Sequence, residues 1–175
     1  MKRGAFFIDK DGVLVDNSRY PEIIPTDELL ENDIFEGLKH IQNKGYKIII
    51  VSNQKWISKG LMKREDVEKT FQIIIKKLKE KGIEINDYFY CPHKEEDNCN
   101  CRKPSPKMIL DAAEKHSISL KDSFMIGDME KDIESGKNAG TKTILVLTGR
   151  GKDYQNETNA DYVINNLNEI NKVIK

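Results

Sequence analysis

Two carboxylates one residue apart, Asp9 and Asp11, stand at the end of the apolar run Ala5-Phe6-Phe7-Ile8 and just before Gly12. A glycine at that point lets the chain turn sharply, so both side chains can face one locus. One member of such a pair can attack an electrophile while the other handles protons. An Asx turn would use the same residue types with no chemistry at all. An EF-hand calcium loop requires an oxygen ligand at its fifth position and glycine at its sixth, and Val13 and Leu14 occupy those places. Calcium of that kind is therefore set aside.

Asp128 and Asp132 form a second pair, four apart, again directly after an apolar run, Phe124–Gly127. Helix capping by Asp128 is the plain alternative. Lys103, between Arg102 and Pro104, would by itself read as a surface charge. Electrostatics is what joins the three sets. A carboxylate about 3.5 Å from a phosphate dianion is repelled by roughly 9 kcal/mol at an effective dielectric near 20. A Mg2+ on Asp9, Asp11, Asp128 and a backbone carbonyl, with Asp132 in support, would cancel that repulsion, and the Lys103 ammonium would hold the phosphoryl oxygens. Hard oxygen ligands favour magnesium.

Cys91, Cys99 and Cys101 are the three cysteines, and His93 lies among them. An odd count argues against a disulfide framework, whereas three thiolates and one imidazole make a complete tetrahedral set for Zn2+. The intervening Lys94-Glu95-Glu96-Asp97-Asn98 is too polar for three buried core thiols. With every ligand supplied by protein the zinc would be structural. Because Cys101 adjoins Arg102-Lys103, the loop 91–104 would fix where the lysine points.

These groups need a frame. Ala5–Ile8, Tyr46–Ser52, Tyr88–Tyr90, Phe124–Gly127, Thr143–Leu147 and Tyr162–Ile164 read as strands. Between them, Asp33 is placed to cap a helix carrying Ile34, Leu38 and Ile41. Val67, Phe71, Ile74, Ile75 and Leu78 stripe a longer helix closed by Gly82. Ser105-Pro106 opens a third helix, Lys131–Ala139 is a fourth ended by Gly140, and Leu167–Ile174 is a weak last one. Alternating strands and helices with near-continuous apolar strands predict an α/β fold, a doubly wound parallel sheet covered on both faces. Ligands in such sheets bind at the strands' carboxyl ends, which is where Asp9, Ser52-Asn53, the cysteine loop and Asp128 all fall. The polar stretch 149–159 reads as a mobile loop, and His40 and His116 as solvated histidines without a role.

At 175 residues the chain fits one domain, 1–175. Lys plus Arg (29) balance Asp plus Glu (29), so no basic surplus argues for a nucleic-acid partner. No apolar run approaches the roughly 18 residues of a membrane span, and the start of the chain has no signal h-region. The expected compartment is the cytoplasm.

In order and residue type, Asp9-Lys10-Asp11-Gly12, Ser52-Asn53, Lys103 and Gly127-Asp128…Asp132 resemble the four motifs of the haloacid dehalogenase (HAD) superfamily of phosphatases, over almost the whole chain. That resemblance implies an aspartyl-phosphate on Asp9, acid–base work by Asp11, phosphoryl binding by Ser52 and Lys103, and Mg2+ binding completed by Asp128. Cys-Pro-His…Cys-x-Cys-Arg-Lys-Pro together with Asn53-Gln54 is similar to one branch, the D-glycero-D-manno-heptose 1,7-bisphosphate 7-phosphatases and histidinol-phosphate phosphatases. The branch implies a zinc loop in place of a separate cap domain, and a small phosphorylated substrate contacted by Asn53, Gln54, Lys55, Arg102, Asp16, Arg19 and Tyr20. The expected assembly is a monomer or small homo-oligomer. The chain departs from the branch at Lys55-Trp56, where Ser-Gly is typical, and at Met129, where lysine is common. The five-residue spacer between His93 and Cys99 looks like the histidinol-phosphate members, and Asp16–Tyr20 like the heptose ones. A receiver-like phosphoacceptor and a catalytically silent zinc scaffold are the competing classes.

Overall fold

The computed structural model describes residues 3–16 and 30–175. Six strands, β1 (Ala5–Ile8), β2 (Lys47–Asn53), β3 (Asp87–Cys91), β4 (Phe124–Gly127), β5 (Lys142–Val146) and β6 (Tyr162–Ile164), form one parallel sheet in the order β3-β2-β1-β4-β5-β6. Alternation along the strands sorts the core into two layers. Phe6, Ile8, Ile48, Ile50 and Ile126 face one side, and Ala5, Phe7, Ile49, Val51 and Met125 face the other.

The first side is covered by α1 (Phe35–Asn43) and α2 (Arg64–Glu80), through Leu38, Ile41, Val67, Phe71, Ile74 and Leu78, and by a C-terminal 3-10 turn, Leu167–Lys172. The second side is covered by α3 (Lys107–Lys115), through Met108, Ile109 and Ala112, and by α4 (Glu130–Ala139). Strands buried on both faces must read as continuous apolar runs, and they do.

Three boundaries depart from expectation. Ile34, not Asp33, occupies the cap position of α1, and the first-turn Gly37 N–H is met from a distance by Asn168 Oδ1 at 3.0 Å. The last expected helix is a 3-10 turn. The stretch 149–159 begins with a short helix, α5 (Gly151–Tyr154), and its first residues pack into the site described below.

From β1 the chain builds outward through β2 and β3, then returns to β4 on the other flank of β1. The β1–β4 junction is therefore the topological switch point, whose carboxyl end opens a crevice.

Candidate active site and metal centre

Asp9 leaves β1 at that junction, and its backbone N–H still donates to Ile126 O of β4 at 2.9 Å. Its Oδ1 accepts from the Lys10 backbone N–H at 2.8 Å and pairs with Lys103 Nζ at 2.8 Å. Among the described residues no hydrogen bond is made to its Oδ2, which leaves that oxygen as the one able to attack. Lys103 is 2% exposed, and its ammonium has three partners: Asp9 Oδ1, Asp132 Oδ1 at 2.6 Å and Val51 O at 3.0 Å. Burial works against its charge, but Asp132 and Asp9 outweigh it and hold the lysine protonated above its ordinary range.

Asp128, just after β4, is 1% exposed; its Oδ2 accepts from Arg150 N at 2.9 Å, while its Oδ1 is buried without a partner among the described residues. Such an orphaned acceptor is costly unless something binds it. Two glycines make room for this carboxylate. Gly12 (φ +84°) and Gly149 (φ +51°) lie so close that a Cβ on either would come within 2.3 Å of Asp128 Oδ2. The stretch read as mobile thus supplies a wall and a backbone donor, with Thr148 Oγ1 tying it to Gly12 O at 2.7 Å.

Ligand oxygens of Asp9, Asp128 and Asp132 all lie within 4.8 Å of one another. With all three carboxyls ionised, the Lys103 ammonium would leave two negative charges uncompensated. The consequence is visible in their acidities. Burial, countered by Lys103 but reinforced by the other carboxylates, raises Asp9 to about 8, and burial with the Asp132 charge raises Asp128 to about 6. A double negative excess, an orphaned buried oxygen and hard donors fit a divalent magnesium ion. Asp132, expected to support the metal from behind, also belongs to this cluster. Its two oxygens go to Lys103 and to the Met129 N–H at 3.1 Å, so it anchors the lysine and the start of α4.

Asp11 is more open, its side chain 20% exposed, and it forms an ion pair with Lys10 through Oδ1. Its Oδ2 accepts from Gln54 Nε2 at 2.8 Å, and the same nitrogen lies 2.8 Å from Ser52 Oγ. Ser52 is fully buried near the carboxyl end of β2. Three of the expected substrate contacts turn inward instead. Asn53 exchanges hydrogen bonds with the backbone of Lys103, its Nδ2 donating to Lys103 O at 3.2 Å and its Oδ1 accepting from Lys103 N at 3.0 Å. Gln54 is 1% exposed. Arg102 directs its guanidinium to His93 O at 3.1 Å and Glu95 Oε1 at 3.4 Å, closing the cysteine loop on itself. A polar side chain at a strand's carboxyl end finds backbone groups to satisfy before it can reach solvent.

Lys55 and Lys59 both lie over Trp56, with ammonium-to-ring distances of 5.1 and 5.3 Å, so the indole is a platform for two cations. Asp16 is half-buried, and Arg19 and Tyr20 lie outside the described residues. Lys131 was missed by sequence reasoning. It is half-buried on the first turn of α4, where burial, then the Arg102 and Lys103 charges, lowers its pKa. Flanked by Glu130 and Asp132, it reads in sequence as a surface ion pair. The two other histidines are engaged: His116 Nε2 is 2.6 Å from Asp87 Oδ2, and His40 Nε2 2.9 Å from Ile174 O.

The second centre is compact. Cys91 Sγ lies 3.5 Å from Cys99 Sγ, 3.1 Å from Cys101 Sγ and 3.5 Å from His93 Nδ1; Cys101 Sγ lies 3.7 Å from Cys99 Sγ and 3.4 Å from His93 Nδ1. A tetrahedral zinc with Zn–S bonds of about 2.3 Å has sulfur–sulfur edges of about 3.8 Å, so the set needs only slight expansion to hold the ion. Although burial works upward, the Cys101 and Arg102 backbone N–H groups lower Cys99 to about 7, toward the thiolate that zinc requires. Cys91 is driven the other way by its burial. A thiol buried among thiols without a cation is disfavoured as an anion, and a bound metal would reverse that.

Comparison with known proteins agrees with this geometry. A family model described as HAD-hydrolase-like matches residues 100–170. A Helicobacter pylori relative, D-glycero-beta-D-manno-heptose-1,7-bisphosphate 7-phosphatase, is 40% identical over 144 residues, covering 82% of this chain and 83% of its own. A Photorhabdus laumondii relative named for the alpha anomer of the same compound is 39% identical, with 97% and 95% covered. Among solved structures, the D,D-heptose 1,7-bisphosphate phosphatase of B. bronchiseptica, complexed with magnesium and phosphate, superposes with a TM-score of 0.86 at 24% identity, covering 97% of each chain. That likeness speaks to the fold.

Proposed function

The chain belongs to the D-glycero-D-manno-heptose-1,7-bisphosphate 7-phosphatase family of HAD-like hydrolases, and on that premise we propose that it removes the 7-phosphate of this sugar bisphosphate through an aspartyl-phosphate on Asp9. The observation that carries the reading is the Asp9 carboxylate itself: one oxygen held by Lys103 and a backbone N–H, the other without a partner among the described residues, in a cluster of three carboxyls with a single buried ammonium.

Asp9 Oδ2 attacks phosphorus, and the bond to the sugar oxygen breaks. Asp11 delivers a proton to that oxygen, which leaves as the sugar hydroxyl. Asp11, now ionised, takes a proton from a water molecule that attacks the aspartyl-phosphate; inorganic phosphate departs and Asp9 is restored. Lys103 holds Asp9 in position throughout, and the Ser52 hydroxyl is available to a phosphoryl oxygen. Magnesium, for which Asp9 and Asp128 are the donors, would neutralise the carboxylate excess and draw charge from the phosphoryl oxygens. The Cys91, His93, Cys99 and Cys101 set would hold zinc, and the adjoining Arg102 and Lys103 take their backbone course from that loop.

The test is phosphate release with and without Mg2+, comparing kcat/KM for both anomers of the heptose bisphosphate, histidinol phosphate and simple sugar monophosphates. We expect many turnovers with Mg2+, a bisphosphate preferred over histidinol phosphate, and no turnover by Asp9→Asn. One phosphoryl group retained per chain without release would instead indicate a phosphoacceptor module, and a preference for histidinol phosphate would move the chain to the other half of its branch.

A further inference from the structure

Gln54 was expected to touch substrate, yet it is 1% exposed and commits its amide elsewhere. Its backbone N–H donates to Cys91 O at 2.7 Å, fixing it against the end of β3. From there Nε2 reaches Asp11 Oδ2 and Ser52 Oγ, each at 2.8 Å. We infer that Gln54 is a positioning residue for the phosphatase reaction, holding the acid–base carboxylate in line with the leaving oxygen and turning the Ser52 hydroxyl toward the phosphoryl group.

Hydrogen-bond chemistry supports this. A carboxylate only accepts, so the nitrogen of the amide, with its two protons, must be the end that faces Asp11. One proton goes to Asp11 and the other to Ser52. Since Ser52 Oγ then accepts from Gln54, and among the described residues donates to nothing, its own proton is left for a ligand. The hydroxyl that would bind a phosphoryl oxygen and the carboxyl that would protonate the departing oxygen are thereby tied to one planar amide.

The need for such a tie follows from exposure. Asp9, Asp128 and Asp132 are locked by burial, whereas the Asp11 side chain is 20% exposed and would otherwise rotate. Lys10 holds one of its oxygens and Gln54 the other. The two restraints differ in kind. A cation favours the ionised carboxyl, while a neutral amide donates to the oxygen whether or not the group carries a proton. An amide thus suits a carboxyl that must change state twice per turnover.

The inference rests on the phosphatase reading, and leaving-group dependence separates the two. A general acid contributes about 10²- to 10⁴-fold when the leaving oxygen is a poor one, and little when it departs as a stabilised phenolate. Gln54→Met keeps the length of the side chain and removes the donors. We expect its kcat/KM for an alkyl phosphate to fall about 100-fold, and that for p-nitrophenyl phosphate to fall less by about tenfold or more. This parameter reports phosphoryl transfer to Asp9 and excludes the later hydrolysis of the aspartyl-phosphate. Asp11→Asn should show the same pattern with larger amplitude. Should the Met variant not fold, Gln54→Asn, which withdraws the amide by one methylene, is read in the same way. Equal losses on both substrates, or none, in a folded variant would overturn the role of Gln54. Absence of phosphate release by the unmodified protein from either substrate would instead overturn the phosphatase reading.

Discussion

Lys103→Met should destabilise the magnesium-free protein strongly, and Asp132→Asn should rescue part of the loss. Above about pH 8, where Asp9 and Asp128 are both ionised, the cluster of Asp9, Asp128 and Asp132 with Lys103 carries two excess negative charges; removing the ammonium makes it three, and removing one carboxylate as well restores it to two. Ion pairs of 2.8 and 2.6 Å are each worth about 6 kcal/mol of attraction at an effective dielectric near 20. Most of that repays the desolvation of the buried groups. What remains when one partner of a buried pair is deleted is a loss of about 3–5 kcal/mol. For a chain of this length each kcal/mol corresponds to roughly 2–4 °C in Tm, so a fall of about 10 °C is expected. In the double variant the asparagine still offers an acceptor to the Met129 N–H that Asp132 now satisfies. The pair should therefore be coupled by about 1–3 kcal/mol. Denaturant unfolding of the wild type, both single variants and the double variant, above pH 8, at matched zinc content and without Mg2+, completes the cycle. Saturating Mg2+ should restore more stability to Lys103→Met than it adds to the wild type, because more negative charge awaits it. Strictly additive losses, or a Lys103→Met protein as stable as the wild type, would refute the charge count.

Two further outcomes follow from the same site. In the metal-free protein Asp9 titrates near 8 and Asp128 near 6, both above the ordinary carboxylate value of 3.8. The folded chain thus holds protons that the unfolded chain has lost between about pH 4 and 8, and metal-free stability should fall as pH rises through that window. Mg2+ must displace those protons, so its affinity should rise by up to about tenfold per pH unit and proton between pH 6 and 8, then level off; calorimetric titration in buffers of different ionisation enthalpy would count the protons, and a pH-independent affinity would contradict the shifts. Cys101→Ser should abolish stoichiometric zinc, measured by elemental analysis, and reduce phosphatase kcat far more than KM, since the loop that carries Arg102 into Lys103 loses its closure; full activity without zinc would show that the Asn53 bonds to the Lys103 backbone suffice alone.

Much of this molecule is decided by short stretches of sequence. Four apolar strands buried on both faces need continuous Ile, Val and Phe, and such runs can be read without tertiary information; the same holds for the Asp-x-Asp-Gly turn and for the four soft ligands of the cysteine loop, whose residue types have few other uses at that spacing. Position in the catalytic crevice follows from them, because parallel sheets expose their carboxyl ends at the switch point between β1 and β4. Direction does not follow. Asn53, Gln54 and Arg102 sit in the expected segments, yet buried amide and guanidinium groups must satisfy neighbours that only the fold supplies: the Lys103 backbone for Asn53, Asp11 and Ser52 for Gln54, and His93 O for Arg102. Gly149 and Arg150 read as a polar loop until the crossover from β5 brings them against Asp128. The identity of the chemical groups is therefore a property of the sequence, while their partners, and with them the two excess negative charges that call for magnesium, exist only once four distant segments share one crevice.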